Sequence, residues 1–173
     1  MLKIKQINDN DFLLYYDFLF SLYRKTFSTK PFDLDVSKEY IHQFLIDEFN
    51  NGFIYIAFLN NLPVGFLTAS FIKKSISGYS IVEAFPSFSS FEKNSLYLSS
   101  IAIKTEFKKQ NIGNLLIKKV ISNNKSEQII SRTRADTSEI HKLFDKNVFF
   151  ILFEYNQKIN NVNLPLYVWG YNF

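Results

Sequence analysis

The chain has 173 residues, 47% of them apolar, with five Gly, four Pro, no Cys and a formal charge of +4. This composition excludes collagen-like, low-complexity and disordered chains, and the absence of cysteine excludes disulfide frameworks, thiolate metal sites and Cys nucleophiles. The length suits one domain over residues 1–173, no apolar run approaches the roughly eighteen residues of a membrane span, and the alternating start Met1-Leu2-Lys3-Ile4 is unlike a secretory signal, so a soluble, cytoplasmic protein is expected.

Residues Leu2 to Ile7 alternate apolar and polar, which predicts a half-buried strand. The cluster Asn8-Asp9-Asn10-Asp11 then offers caps for a helix whose stripe is Phe12, Tyr16, Leu19, Phe20, Tyr23 and Phe27, ending before Pro31. A second helix is expected from near Asp35, with Ile41, Phe44, Leu45 and Phe49 on one face and a stop at Asn50-Asn51-Gly52. Phe53 to Leu59 and Val64 to Ile72 read as a hairpin turned by Asn60-Asn61, with Pro63 at a strand start. Ser75 to Asn94, rich in Ser, reads as a strand end followed by a long loop.

Ser95 to Ile103 alternates as a strand, and after a short polar loop Gly113 opens a helix carrying Leu115, Leu116, Val120 and Ile121. Gln128 to Arg134 reads as a strand, Asp136 to Glu139 has capping-box spacing with Asp136 as the cap, and Ile140, Leu143, Phe144 and Val148 line the next helix. Phe149 to Tyr155 and Leu164 to Tyr171 are two aromatic strands joined by an Asn-rich loop. The order β-α-α-β-β-β-α-β-α-β-β predicts an α/β fold with a central mixed sheet and helices on both faces.

The positive charge is carried almost wholly by scattered Lys, with Arg at positions 24, 132 and 134 only. A solvated Lys- and Asn-rich surface therefore explains it better than a nucleic-acid footprint. With His42 and His141 the only histidines, no metal site is expected.

One segment carries a chemical signal. A strand ending at Ile101-Ala102-Ile103, a polar loop with Lys108, Lys109, Gln110 and Asn111, and a helix starting at Ile112-Gly113-Asn114 would direct unpaired N–H groups and lysine charge at one spot. That is an anion site, although an ordinary helix start with solvated lysines would read the same way. Asn111 tolerates left-handed geometry and Gly113 permits close approach to the backbone.

This segment resembles the signature of the GNAT superfamily of N-acyltransferases, Gln/Arg-x-x-Gly-x-Gly/Ala between its fourth strand and third helix. Ala102-Ile103 stand at the family's Ala-Val, Lys108 at Gln/Arg, Asn111 at the first Gly, Gly113 at the second and Leu115-Leu116 at the apolar pair. The element order over nearly the whole chain is also the family's, which implies a mostly antiparallel sheet of about seven strands. The resemblance implies that amides of Gln110 to Asn114, with Lys108 and Lys109, hold the pyrophosphate of coenzyme A. It also implies that the backbone of Ile101 to Ile103 pairs with the pantetheine arm, and that acetyl passes directly from acetyl-CoA to a small-molecule or peptide amine. No nucleic acid or membrane partner is implied, and the protein would act as a monomer or homodimer.

The chain departs from that pattern at the catalytic groups. The family's thiolate-protonating Tyr lies in the helix after the fifth strand, where this chain aligns Thr137, Ile140, Leu143 and Phe144, so Thr137 and Phe144 would border the cofactor but Phe144 donates no proton. The strand positions for a carboxylate base hold Ser95, Tyr97 and Ser99. Tyr97 and Ser99 could hold a water relay, and Glu83 or Glu92 in the long loop could serve as base. His141 falls on the exposed side of its helix, while Tyr15, Tyr16, Tyr23, Phe85 and Phe88 could wall an acceptor cleft. The alternative is a GNAT-like module that binds coenzyme A as a sensor without turnover.

Overall fold

In the computed structural model the chain runs β1 (Leu2–Gln6), α1 (Asp9–Phe27), α2 (Lys38–Asn51), β2 (Gly52–Leu59), β3 (Leu62–Phe71), β4 (Leu96–Ile103), a 3-10 turn (Thr105–Phe107), α3 (Ile112–Asn123), β5 (Gln128–Arg134), α4 (Ser138–Lys146), β6 (Phe150–Ile159) and β7 (Val162–Asn172). The structure describes residues 1–30, 32, 34–71, 95–124, 128–159 and 162–172. The readings for Ser75–Asn94, including Glu83, Phe85, Phe88 and Glu92, lie outside the described residues.

One seven-stranded sheet has the order β1-β2-β3-β4-β5-β7-β6. Every neighbouring pair is antiparallel except β4 with β5. Strand alternation sends β2 residues to opposite faces. Ile54 and Ile56 pack with Phe12, Leu19 and Tyr23 of α1 and Ile41, Phe44 and Leu45 of α2, whereas Tyr55 and Ala57 pack with Ile112, Leu116 and Val120 of α3 and Phe144 of α4. The fold is the expected mixed α/β sheet with helices on both faces.

Local chemistry sets the boundaries. Asn8 and Asp11 form a reciprocal capping box on α1, at 3.0 and 3.2 Å. The second helix starts three residues later than the Asp35 expectation, because the Ser37 hydroxyl accepts the Tyr40 amide at 3.1 Å and makes Ser37 the cap. Asn60 and Asn61 have φ of 50° and 67°, the left-handed pair that a two-residue hairpin needs.

Near the C-terminus three readings are corrected. Asp136 is not a helix cap; its carboxylate takes both prongs of the Arg134 guanidinium, at 3.0 and 2.7 Å, and the cap position falls to Thr137, whose side chain does not bond the helix start. Val148 is 76% exposed and lies past the end of α4 with φ 63°. There the Phe149 amide closes back onto Phe144 O at 3.1 Å, a helix termination that usually uses Gly. The last two strands also run beyond the Asn-rich stretch and pair to Ile159 opposite Val162. A ladder is made of backbone, and polar side chains are tolerated in a hairpin at the sheet edge.

Candidate active site

The parallel pairing of β4 and β5 covers only Leu96 with Ile129, Tyr97 with Ile130 and Leu98 with Ser131. At the last step the Ser131 hydroxyl donates to Leu98 O at 3.0 Å. Beyond it Arg132, Thr133 and Arg134 pair only with β7, so among the described residues the backbone of Ser99 to Ile103 has no strand partner on that side. A cleft therefore opens in the middle of the sheet.

A bulge shapes the floor of this cleft. Thr68 of β3 faces Ser100 and Ala69 faces Leu98, which leaves Ser99 as the extra residue of β4. The extra residue reverses the alternation: Leu96 and Leu98 before it, and Ile101 and Ile103 after it, all pack on the α3 side. Ser99 and Ser100 consequently both serve the α1–α2 side. The Ser99 hydroxyl reaches Glu48 of α2, and Ser100 lies close enough to the Tyr23 hydroxyl of α1 to oppose the rise in its pKa.

Glu48 is the residue that sequence reasoning missed. It is 1% exposed, and its two oxygens accept the hydroxyls of Ser70 of β3 at 3.0 Å and Ser99 at 2.8 Å. The signal was available, because Ile41, Phe44, Leu45 and Glu48 follow the i, i+3, i+4, i+7 pattern of the buried stripe. A carboxylate on that stripe is buried at a desolvation cost unless hydrogen bonds satisfy it.

Phenols surround this carboxylate. Burial pushes the hydroxyls of Tyr23, Tyr40 and Tyr97 above the ordinary tyrosine range, and the charge of Glu48 adds to the rise at each. They are therefore neutral O–H groups at physiological pH. At Tyr40 and Tyr97 the positive charge of Arg132 pulls the other way. Tyr97 is 2% exposed and packs with Ile130 and Val168. Of the three aromatic residues suggested as cleft walls in α1, Tyr23 reaches this cluster, whereas Tyr15 packs on Phe58 and Tyr16 donates toward or accepts from His42 Nδ1 at 2.6 Å.

On the other side of the cleft, Lys104 N–H bonds Val64 O at 2.9 Å and fixes the start of the polar loop. Lys109 and Asn111 have φ of 62° and 64°, which turns the chain sharply into α3. The Leu115 amide is the first to close onto the helix start, at Asn111 O, so the amides of Ile112, Gly113 and Asn114 precede the ladder. Asn111 does not cap them, since its Oδ1 accepts from Lys146 Nζ at 3.0 Å. Lys108, Lys109 and Gln110 are exposed, while Ile112 and Asn114 are buried. A Cβ on Gly113 would meet Leu143 Cδ2 at 3.1 Å, so this glycine lets α3 and α4 approach each other.

Thr137 and Phe144 are both buried. The Thr137 hydroxyl donates to Arg134 O, and Phe144, 2% exposed, stacks on Phe149 at 4.9 Å and meets Trp169 at 5.5 Å. His141 is not on an exposed face as expected. It sits over Tyr167 and Trp169, with Nε2 at 2.9 Å from Arg134 O. Among the described residues no cluster of His, Asp and Glu could hold a metal ion, and no helix is long and apolar enough to cross a membrane.

The sequence profile described as the Acetyltransferase (GNAT) family matches residues 14–158. Solved structures with the same fold include the ribosomal-protein-alanine N-acetyltransferase of Brucella melitensis, with TM-score 0.73, 16% identity and 99% of each chain covered. Arabidopsis thaliana NAA60 in complex with acetyl-CoA aligns with TM-score 0.69 and 17% identity over 99% of this chain and 98% of that one. The GNAT-family acetyltransferase of Streptococcus pneumoniae aligns with TM-score 0.69 and 16% identity over 99% of both chains. No curated protein sequence matches the chain.

Proposed function

The chain belongs to the GNAT acetyltransferase family, and on that premise we propose that it moves acetyl from acetyl-CoA to an amine of a small molecule or peptide in the cytoplasm. Coenzyme A would lie in the divergence of β4 and β5. The unpaired backbone of Ile101, Ala102 and Ile103 would hold the pantetheine arm, and Lys108, Lys109, Gln110, Asn111, Ile112, Gly113 and Asn114 would hold the pyrophosphate through amides and charge. The residues fit such a ligand because this loop turns through two left-handed residues and leaves the helix start uncapped. Thr137 and Phe144 would shape the wall from behind. When bound, acetyl-CoA supplies an activated carbonyl and a thiolate leaving group.

The observation that carries this reading is the Glu48–Ser99 hydrogen bond at the point where β4 leaves β5. An acceptor amine entering from the α1–α2 side would meet the Ser99 hydroxyl, which is itself held by a carboxylate. As the new C–N bond forms and the C–S bond breaks, the amine proton passes to Glu48 through Ser99 or a water beside it. A proton returns to the departing sulfur from solvent or from the neutral hydroxyl of Tyr97. Phe144, at the position where the family carries its acid, favours a second reading as a coenzyme A sensor without turnover.

Thiol release from acetyl-CoA, measured with a broad amine panel, separates the two. Glu48→Gln keeps the shape and the hydrogen-bonding length. It should lower kcat/KM by about 10²- to 10⁴-fold with unchanged coenzyme A affinity. Wild-type protein that binds coenzyme A but releases no thiol with any amine would establish the sensor reading, and a Glu48→Gln variant within threefold of wild type would remove Glu48 as the base.

A further inference from the structure

Arg132 occupies β5 just past the last residue that pairs with β4, and alternation puts it on the face of Ile130. That face is shared with Tyr97 and Val168. From there its guanidinium reaches sideways over β7 to β6, where one amino group donates to Tyr155 Oη at 3.2 Å and Gln157 Oε1 at 3.3 Å. Both acceptors are neutral, and both contacts are at the long end for hydrogen bonds.

The contrast with its neighbour is informative. Arg134, two residues along the same strand, is neutralised by Asp136 through a two-pronged pair. Arg132 is half-buried, and among the described residues no carboxylate lies within ion-pair distance of it. Only one of its three nitrogens donates to a described acceptor, although the guanidinium carries five N–H groups in a planar fork. Half-buried charge held only by neutral groups is incomplete. The second amino group and Nε are the part of the fork that would grip a planar or tetrahedral oxyanion in two-pronged fashion.

The position of this charge ties it to the cleft. Alternation places Tyr97 and Arg132 on the α1–α2 side of the sheet, the side that Ser99 serves, and Tyr40 and Tyr97 feel both the Arg132 cation and the Glu48 carboxylate, so both charges act on that side of the cleft. Tyr40 is 42% exposed, so solvent reaches this group of side chains at α2. We propose that Arg132 binds an oxyanion, a carboxylate or a phosphate, carried by the acceptor, so that the substrate class is an anionic primary amine with its nitrogen toward Ser99 and its anion toward β6. This proposal rests on the acetyl-transfer reading for the identity of the ligand as an acceptor.

Two measurements test it. In the first, thiol release is followed with β-alanine against β-alaninamide and with O-phosphoethanolamine against ethanolamine. The anionic member of at least one pair should have a kcat/KM ten- to a hundredfold higher, and which pair responds tells carboxylate from phosphate. Arg132→Gln should erase that preference through KM with kcat within threefold, and Arg132→Lys, which keeps the charge but not the fork, should restore a minor part.

The second measurement needs no turnover. Calorimetric affinities of the N-acetylated forms of the same four compounds, with coenzyme A present, should show the anionic forms at least tenfold tighter in wild type and within twofold of the neutral ones in Arg132→Gln. Equal binding of anionic and neutral forms to wild type, or a preference that survives Arg132→Gln, overturns the proposal. Thiol release with neutral amines at equal efficiency would overturn it while leaving acetyl transfer standing. Arg132-dependent binding of the anions without any thiol release would instead overturn the transfer reading alone.

Discussion

Ser70 of β3 and the bulge residue Ser99 of β4 donate to the same buried carboxylate, yet only Ser99 borders the open cleft. The two should therefore respond differently to loss of the hydroxyl. Ser99→Ala removes the step between acceptor and Glu48 and is expected to lower kcat about tenfold or more, while costing about 1 kcal/mol of stability. Ser70→Ala takes a donor from a buried charge and is expected to cost about 1–3 kcal/mol with kcat within threefold. Urea midpoints and kcat on the same samples check both. Equal effects on kcat would mean that the hydroxyls only support Glu48.

Asp11 gives a pH dependence with a definite sign. The Lys5 ammonium at 2.6 Å, first, and the Asn8 amide, second, hold its carboxyl below the usual range. A depressed folded value means that stabilisation is fully present above the unfolded carboxylate value, about pH 4, and fades as the pH falls through the folded value. Asp11→Asn should therefore be less stable than wild type at neutral pH, and the two urea midpoints should converge as the pH falls through the lowered folded value of the Asp11 carboxyl. A constant difference across the acid range would contradict the assignment.

Among the elements, the end of α4 and the start of α3 each carry a testable geometry. Val148 is a β-branched, exposed residue with φ 63°, a conformation that costs an L-residue roughly 1–2 kcal/mol and glycine almost nothing. Val148→Gly loses no burial and should stabilise by about 1 kcal/mol net of glycine's greater chain entropy, seen as a melting temperature higher by about 2–4 °C. In the polar loop, Lys109 is left-handed and Lys108 is not, so the strain-free way to remove their charge is Lys108→Ala with Lys109→Gly. That variant should bind coenzyme A severalfold more weakly at low salt, with the deficit shrinking as salt screens the phosphate contacts. A salt-independent loss would point to folding rather than charge.

The elements were readable because their signals are local. Alternation gave β1, helical stripes gave α1 and α3, and Asn60-Asn61 gave the hairpin that two positive φ values require. The strand, polar loop and helix start proposed to hold the pyrophosphate were legible for the same reason, being sixteen contiguous residues from Ile101 to Leu116. What the sequence hid was the juxtaposition of distant residues. Glu48 lies on the buried stripe of α2, but its partner shows only when the bulge at Ser99, fifty-one positions away, turns a hydroxyl toward it. Arg132 looks like any strand arginine until β6 folds back and offers it only neutral acceptors. Asp136 misled for the converse reason, since Arg134 outcompeted the helix amide for its carboxylate.

At the scale of the whole molecule, one sheet with helices on both faces predicts a single cooperative unfolding transition for residues 1–173, which calorimetry can check by agreement of the calorimetric and van't Hoff enthalpies. The sheet is continuous except where β4 and β5 diverge, and a ligand seated there would complete it. Coenzyme A at about a hundred times its dissociation constant should then add roughly 2.7 kcal/mol of stability, a melting-temperature rise of about 5–10 °C. The Lys108→Ala/Lys109→Gly variant should show a smaller rise at the same concentration.

Acetyl transfer at the divergence of β4 and β5 can be seen in a crystal structure of the protein with acetyl-CoA. The pantetheine arm should be hydrogen-bonded to the backbone of Ile101 to Ile103, the pyrophosphate should lie against the amides of Ile112 to Asn114, and the thioester carbonyl should stand beside Ser99 on the side that faces Glu48. Acetyl-CoA bound elsewhere, with the space between β4 and β5 empty, would contradict this placement.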